Sequence, residues 1–145
     1  MTMELGTTGA ILSFALERES KIGAFYHKYS SHMESSELKN AFSTIHRAQK
    51  KRERLLERFR RENVTEMILE PIHDFESEPF ELSLSNENNL DDSALRQAAI
   101  EMEESSQAFF MKASEKTTFL PEVSDEFKNL SNKAASNVEL LQSSS

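Results

Sequence analysis

Glycine and proline are nearly absent from this chain, and where they occur they cut it into helix-length pieces. Gly stands only at 6, 9 and 23, and Pro only at 71, 79 and 121, of 145 residues. That is about 4% of the chain, against roughly 12% in an average protein. A sandwich or barrel needs turns every ~8–12 residues, so an all-β fold is excluded. Between 24 and 70 no Gly or Pro interrupts a helix.

Other classes fall just as quickly. There is no Cys, hence no disulfide framework and no thiolate metal site. The longest apolar runs are a few residues, well short of the ~18 of a transmembrane helix. The N-terminus has neither a basic region nor a long apolar one, so no secretory signal is expected. No P-loop, dinucleotide fingerprint or serine or cysteine nucleophile motif is present, and no catalytic residue is assigned. The expectation is one acidic, all-α domain over 1–145, cytoplasmic and free of membrane spans.

Apolar residues recur at three- and four-residue spacing in four segments. The first, about 9–32, carries Leu12, Ala15, Ile22, Tyr26 and Tyr29, with Glu19 inside the stripe. The second, about 35–62, carries Leu38, Phe42, Ile45, Leu56 and Phe59, with Gln49 and Arg52 inside it. The third, about 92–117, carries Leu95, Ala99 and Phe110, with Glu103 and Ser106 inside it. The fourth, about 121–142, carries Val123, Phe127, Leu130, Ala134 and Leu141, with Asn137 inside it. Ser35 or Ser36, Asp91 to Ser93, and Pro121 are placed to start helices. Ser143 to Ser145 read as a frayed tail.

Residues 63–91 break the pattern and read as a crossover running the length of a bundle. Met67, Ile68, Leu69 and Ile72 can form a turn of helix, and Phe75, Phe80, Leu82 and Leu84 can pin the rest. The formal charge of −8 concentrates here: 62–92 holds ten acids and no Lys or Arg, whereas 47–61 holds eight bases and two acids. The basic face is expected to cover this acidic segment. Nucleic acid is not an expected partner at a pI of about 5.1, with a single aromatic residue, Phe59, among the bases.

The two halves repeat. ALERESKIGAFYHKYS (15–30) and AIEMEESSQAFFMKAS (99–114) share seven of sixteen positions, among them Glu19/Glu103 and Phe25/Phe109. The second and fourth segments align as well, Gln49 with Ala134 and Arg52 with Asn137. A carboxylate within an apolar stripe must pair, bind metal or take up a proton. Here two of them occupy equivalent positions.

Segments one and three resemble the E-x-x-A-x-x-F-Y helices of the rubrerythrin family, read here as ESKIGAFY from Glu19 to Tyr26 and EESSQAFF from Glu103 to Phe110, with Ile22 and Ser106 at the Ala position and Phe110 at the Tyr position. The resemblance implies a ferritin-like four-helix bundle, two antiparallel helix hairpins joined by a long crossover, and a dimer. It also implies a di-iron centre held by one Glu from each of helices one and three and a Glu-x-x-His pair from each of helices two and four. Glu19 and Glu103 carry over as metal ligands. The other four positions do not: Gln49 and Arg52 stand on helix two, Ala134 and Asn137 on helix four. Ala has no donor atom, and a guanidinium cannot ligate a cation. The site therefore reads as degenerate, with no cofactor expected.

Arg52 is expected to replace the metal electrostatically, pairing with one or both Glu while Gln49 and Asn137 satisfy the remaining lone pairs. Two carboxylates and one guanidinium would leave about one negative charge. Three functions are weighed: a non-catalytic structural or interaction protein; an oxidoreductase or iron-handling protein whose reduced site holds iron or another divalent ion at Glu19 and Glu103, with Arg52 turned outward; and a module binding a small ligand in the bundle interior. Glu70 and His73 spell E-x-x-H by chance, because Pro71 interrupts the helix they would need. His27, His32 and His46 lack ligand spacing. Tyr26 and Phe110 read as core aromatics rather than redox groups.

Overall fold

Each apolar stripe becomes the buried face of a helix. The computed structural model describes residues 3–62, 70–84 and 90–144. Among them are four long helices: α1 Thr8–Tyr29, α2 Ser36–Glu62, α3 Asp92–Lys116 and α4 Pro121–Ser143. The strand-like content of the described residues is one isolated bridge, Glu4 to Glu76. No described helix is long and apolar enough to cross a membrane.

Local chemistry sets the helix ends. Thr7 Oγ1 accepts the Ala10 N–H at 3.0 Å, Ser35 Oγ the Leu38 N–H at 3.1 Å and Asp91 Oδ1 the Ala94 N–H at 2.8 Å. Each satisfies one of the donors a helix start leaves open. Pro121 occupies the start of α4, where its missing N–H costs nothing. α1 ends at Tyr29 rather than near His32, as Ser30 and Ser31 follow and serine competes for the backbone. α4 runs through Ser143 with Ser144 as its cap, so the serine tail begins later than expected, and Ser145 lies outside the described residues. The Asp92 carboxylate accepts the backbone N–H groups of Glu34 at 3.1 Å and Ser35 at 2.7 Å, tying the start of α3 to the start of α2.

α1 packs against α2 and α3 against α4, and contacts of α2 with α4 and of α1 with α3 close the bundle. The core divides into two apolar clusters. One gathers Leu12, Ala15, Leu56, Phe59, Phe109, Phe110, Phe127 and Leu130; the other gathers Ile22, Tyr26, Phe42, Ile45, Leu95, Ala99 and Leu141. On every helix the polar stripe residues fall between members of the two. Glu19, Gln49, Arg52, Glu103 and Ser106 are all buried there.

The described connection is held by its aromatics. Phe75 is buried, with its ring centroid 6.0 Å from Phe80 and 5.7 Å from Phe109, and Phe80 lies 5.6 Å from Phe109. Leu82 and Leu84 pack half-buried against the second cluster. Met67, Ile68 and Leu69 lie outside the described residues, and Ile72 is buried without belonging to a helix. The N-terminal segment, which the periodicity left unassigned, pairs with the connection: Leu5 N–H to Phe75 C=O at 2.7 Å, Ile72 N–H to Gly6 C=O at 2.9 Å, and Ser77 N–H to Met3 C=O at 2.8 Å. Among the described residues these anchors lie on α1, α3 and the N-terminal segment; residues 63–69 and 85–89 of the acidic segment that the basic stretch 47–61 is expected to cover lie outside the described residues. Burial of Phe75 and Phe80 against Phe109 sets the course of the described connection, because apolar area removed from water outweighs solvent-screened charge attraction.

Candidate functional site

The layer between the apolar clusters is a closed polar network centred on Arg52. Glu19 and Glu103 are fully buried, Gln49 is 2% exposed and Arg52 5% exposed. Arg52 Nε donates to Glu19 Oε1 at 2.8 Å, and its Nη1 lies 3.6 Å from Glu103 Oε1. Its guanidinium also sits 5.6 Å from the Phe110 ring centroid. Arg52 therefore points inward, and the outward alternative is not realised.

Each carboxylate has its own neutral donors. Gln49 Nε2 donates to Glu19 Oε1 at 3.2 Å and to the Glu19 backbone carbonyl at 3.0 Å. Gly23 makes this approach possible, because a Cβ there would sit 3.0 Å from Gln49 Oε1. Asn137, half-buried, donates Nδ2 to Glu103 Oε1 at 2.9 Å. The Tyr26 hydroxyl donates to Glu103 Oε2 at 3.0 Å. Tyr26 is thus a core aromatic and also a member of the network, a role its apolar spacing did not reveal. Ala134 is buried and offers no donor.

Electrostatics follow from burial. Loss of solvent pushes the Glu19 carboxyl above its ordinary range; Arg52 and Gln49 pull it back only in part, and the neighbouring Glu103 adds to the rise. Burial acts to lower Arg52, but Glu19 and Glu103 outweigh it and hold the guanidinium above its ordinary value. Burial and the Glu103 charge push the Tyr26 hydroxyl well up, so it stays a donor. Among the atoms of Glu19, Gln49, Arg52 and Glu103, two buried ones lack a hydrogen-bond partner, Oε2 of Glu19 and Nη2 of Arg52.

A second guanidinium completes the interior. Arg18 is 2% exposed. It donates Nη2 to Ser106 Oγ at 2.8 Å and Nη1 to Ser105 Oγ at 3.2 Å, and it also donates to the Phe80 backbone carbonyl. Its guanidinium carbon is 5.2 Å from the Phe109 centroid. Burial pulls its pKa down to about 10, with Arg52 adding to the fall and Glu19 and Glu103 opposing it. It therefore remains charged at neutral pH. Two carboxylates and two guanidinium groups balance, which corrects the expected residual charge of minus one. The signal for Arg18 was present: Ile11, Phe14 and Phe25, all buried, form a second stripe on α1 that shares Ile22 and Tyr29 with the first, and Arg18 interrupts it as Glu19 interrupts the first.

The donor set does not fit a dimetal centre. A cationic guanidinium lies within 4 Å of both carboxylates, and no group of three or more His, Cys, Asp or Glu side chains able to hold a metal occurs among the described residues. Glu70 and His73 are exposed and outside any helix. His27 and His32 are exposed, while His46 is half-buried and stacks on Tyr26 at 6.2 Å. Burial, and after it Lys50 and His27, lower the His46 pKa. Two clefts approach the network: one of about 310 Å³ between α1 and α2, lined by Glu19, His46 and Gln49, and one of about 520 Å³ between α2 and α4, lined by Arg52 and Asn137. In comparisons with known proteins, no family profile, curated protein or solved structure matches the chain.

Proposed function

We propose that this chain is a rubrerythrin-like bundle of the ferritin-like kind, two antiparallel hairpins joined by a long crossover, whose di-iron centre has been replaced by a guanidinium–carboxylate network, and that it serves as a non-catalytic structural or interaction protein. The observation that carries the reading is the position of Arg52, at 2.8 Å from Glu19 and 3.6 Å from Glu103. A fixed cation there supplies the positive charge that two buried carboxylates demand. It also repels any metal ion entering between them. Glu19 and Glu103 are the vestigial ligands, and Gln49, Arg52, Ala134 and Asn137 are the altered ligand positions.

The experiment is metal analysis after anaerobic loading with ferrous iron and desalting. The expected result is iron well below one equivalent per chain; about two irons held per chain, as in the di-iron proteins, would overturn the reading. The quadruple variant Gln49→Glu, Arg52→His, Ala134→Glu and Asn137→His restores the full donor set and is expected to take up iron. The dimer rests on the resemblance, and light scattering on the eluted protein checks it.

A further inference from the structure

A charge-balanced interior needs no further cations, yet three more converge outside it. Arg47 and Lys51 of α2 and Lys133 of α4 stand at the rim of the 520 Å³ groove, whose floor includes Arg52 and whose apolar wall includes Leu55 and Leu130. No Asp or Glu lines this groove among the described residues, in a chain with 25 acids and 17 bases. All three rim cations are exposed, and none is in an ion pair among the described residues. The groove adds Lys133 of α4 to the basic stretch 47–61 of α2, in a chain whose formal net charge is −8.

The floor supplies an independent sign. Arg52 is 5% exposed, lines the groove and leaves its Nη2 without a hydrogen-bond partner. A buried guanidinium nitrogen without an acceptor is costly, so the side chain that lines the groove retains an unmet donor. The volume falls within the roughly 300–1,000 Å³ of small-molecule sites. A monocarboxylate would satisfy a small part of this donor array. A phosphate monoester carries close to two charges and three terminal oxygens, and it suits Arg and Lys together. Leu55 and Leu130 then face the organic part.

We infer that the groove between α2 and α4 binds a small organic phosphate, its phosphoryl group held by Arg47, Lys51 and Lys133 above Arg52 and its carbon body laid on Leu55 and Leu130. This goes beyond a structural role and does not depend on the family resemblance. Iron loading of the unaltered chain therefore tests the proposed function without changing this site, whereas the quadruple variant alters Arg52 and Asn137, which line it.

The test is calorimetric titration of the full chain at low ionic strength with phenyl phosphate, inorganic phosphate and a single-stranded oligonucleotide. Phenyl phosphate is expected to bind one per chain and more tightly than inorganic phosphate. Lys51→Glu and Lys133→Glu, both exposed, are each expected to weaken it by about tenfold without changing the circular dichroism spectrum. Lys21→Glu makes the same charge change on α1, beside the connection, and should leave binding unaltered. Any one of four results would overturn the inference: no phenyl phosphate binding, equal affinity for inorganic phosphate, equal weakening by Lys21→Glu, or an oligonucleotide that binds more tightly than phenyl phosphate.

Discussion

Two arginines are buried in this bundle, and the protein holds them by opposite means. Arg52 lies between two carboxylates, and their charge raises its affinity for its proton. Arg18 donates to two serine hydroxyls and a backbone carbonyl and, among the described residues, to no carboxylate, and burial lowers its pKa to about 10. The first neutralises the layer between α1, α2 and α3. The second clamps the connection at Phe80 onto α3. A buried charge can thus be kept by an opposite charge or by neutral acceptors. The first arrangement ties its stability to its partners' ionisation, and the second ties it to the position of a loop.

Removing Arg52 should cost most. Arg52→Met leaves two buried carboxylates without their closest cation, and a loss of about 3–5 kcal/mol is expected in urea unfolding. Adding Glu19→Gln and Glu103→Gln should recover most of it, since replacing a whole buried ionic group is often near neutral. A single variant as stable as the parent would show that Arg52 is not what neutralises the layer. Arg18→Met should cost less, about 1–3 kcal/mol, because the partners it abandons are neutral. Its signature is local: faster hydrogen exchange at 72–82 with little change around Glu103. Uniform loss of protection would erase the distinction between the two sites.

Smaller effects refine the picture. Asn137→Ala should cost about 1 kcal/mol, because Glu103 keeps Tyr26 and Arg52. Arg58→Ala removes an i,i+4 pair with Glu62 whose side chains are 54% and 59% exposed, and a change within ~0.5 kcal/mol is expected. Acid titration isolates Glu19. Its folded pKa is raised above the unfolded value of 4.5, so between those two values the folded state binds more protons. The Glu19 contribution to stability therefore rises as pH falls through that window. The stability of the parent relative to Glu19→Gln should improve from neutral pH towards 4.5; a decline would show that Arg52 dominates the Glu19 carboxyl instead.

Much of the architecture was legible from the sequence, and the partly legible cases are instructive. The four helices followed from spacing, caps and the sparse Gly and Pro, with ends correct to within about three residues. Glu19, Gln49, Arg52, Glu103 and Asn137 stood out as polar residues in apolar stripes, and all five meet in one network. Tyr26 did not stand out, because an apolar ring conceals a hydroxyl whose partner lies on another helix. Arg18 was hidden because α1 is buried over two adjacent stripes while only one was read. The N-terminal pairing with the connection was out of reach, as three backbone hydrogen bonds leave no side-chain pattern.

The sequence by itself determined which residues lie inside, because helical period and side-chain polarity are local properties. Only the tertiary structure decided what the interior charges do. Whether Arg52 turned inward, whether Arg18 joined it, and which oxygen each donor met depended on distances between helices far apart in the chain. Charge balance is a sum over neighbours in space. The acidic connection illustrates the same point: its net charge was plain from composition, but its course over α1 and α3 was set by where Phe75 and Phe80 could be buried.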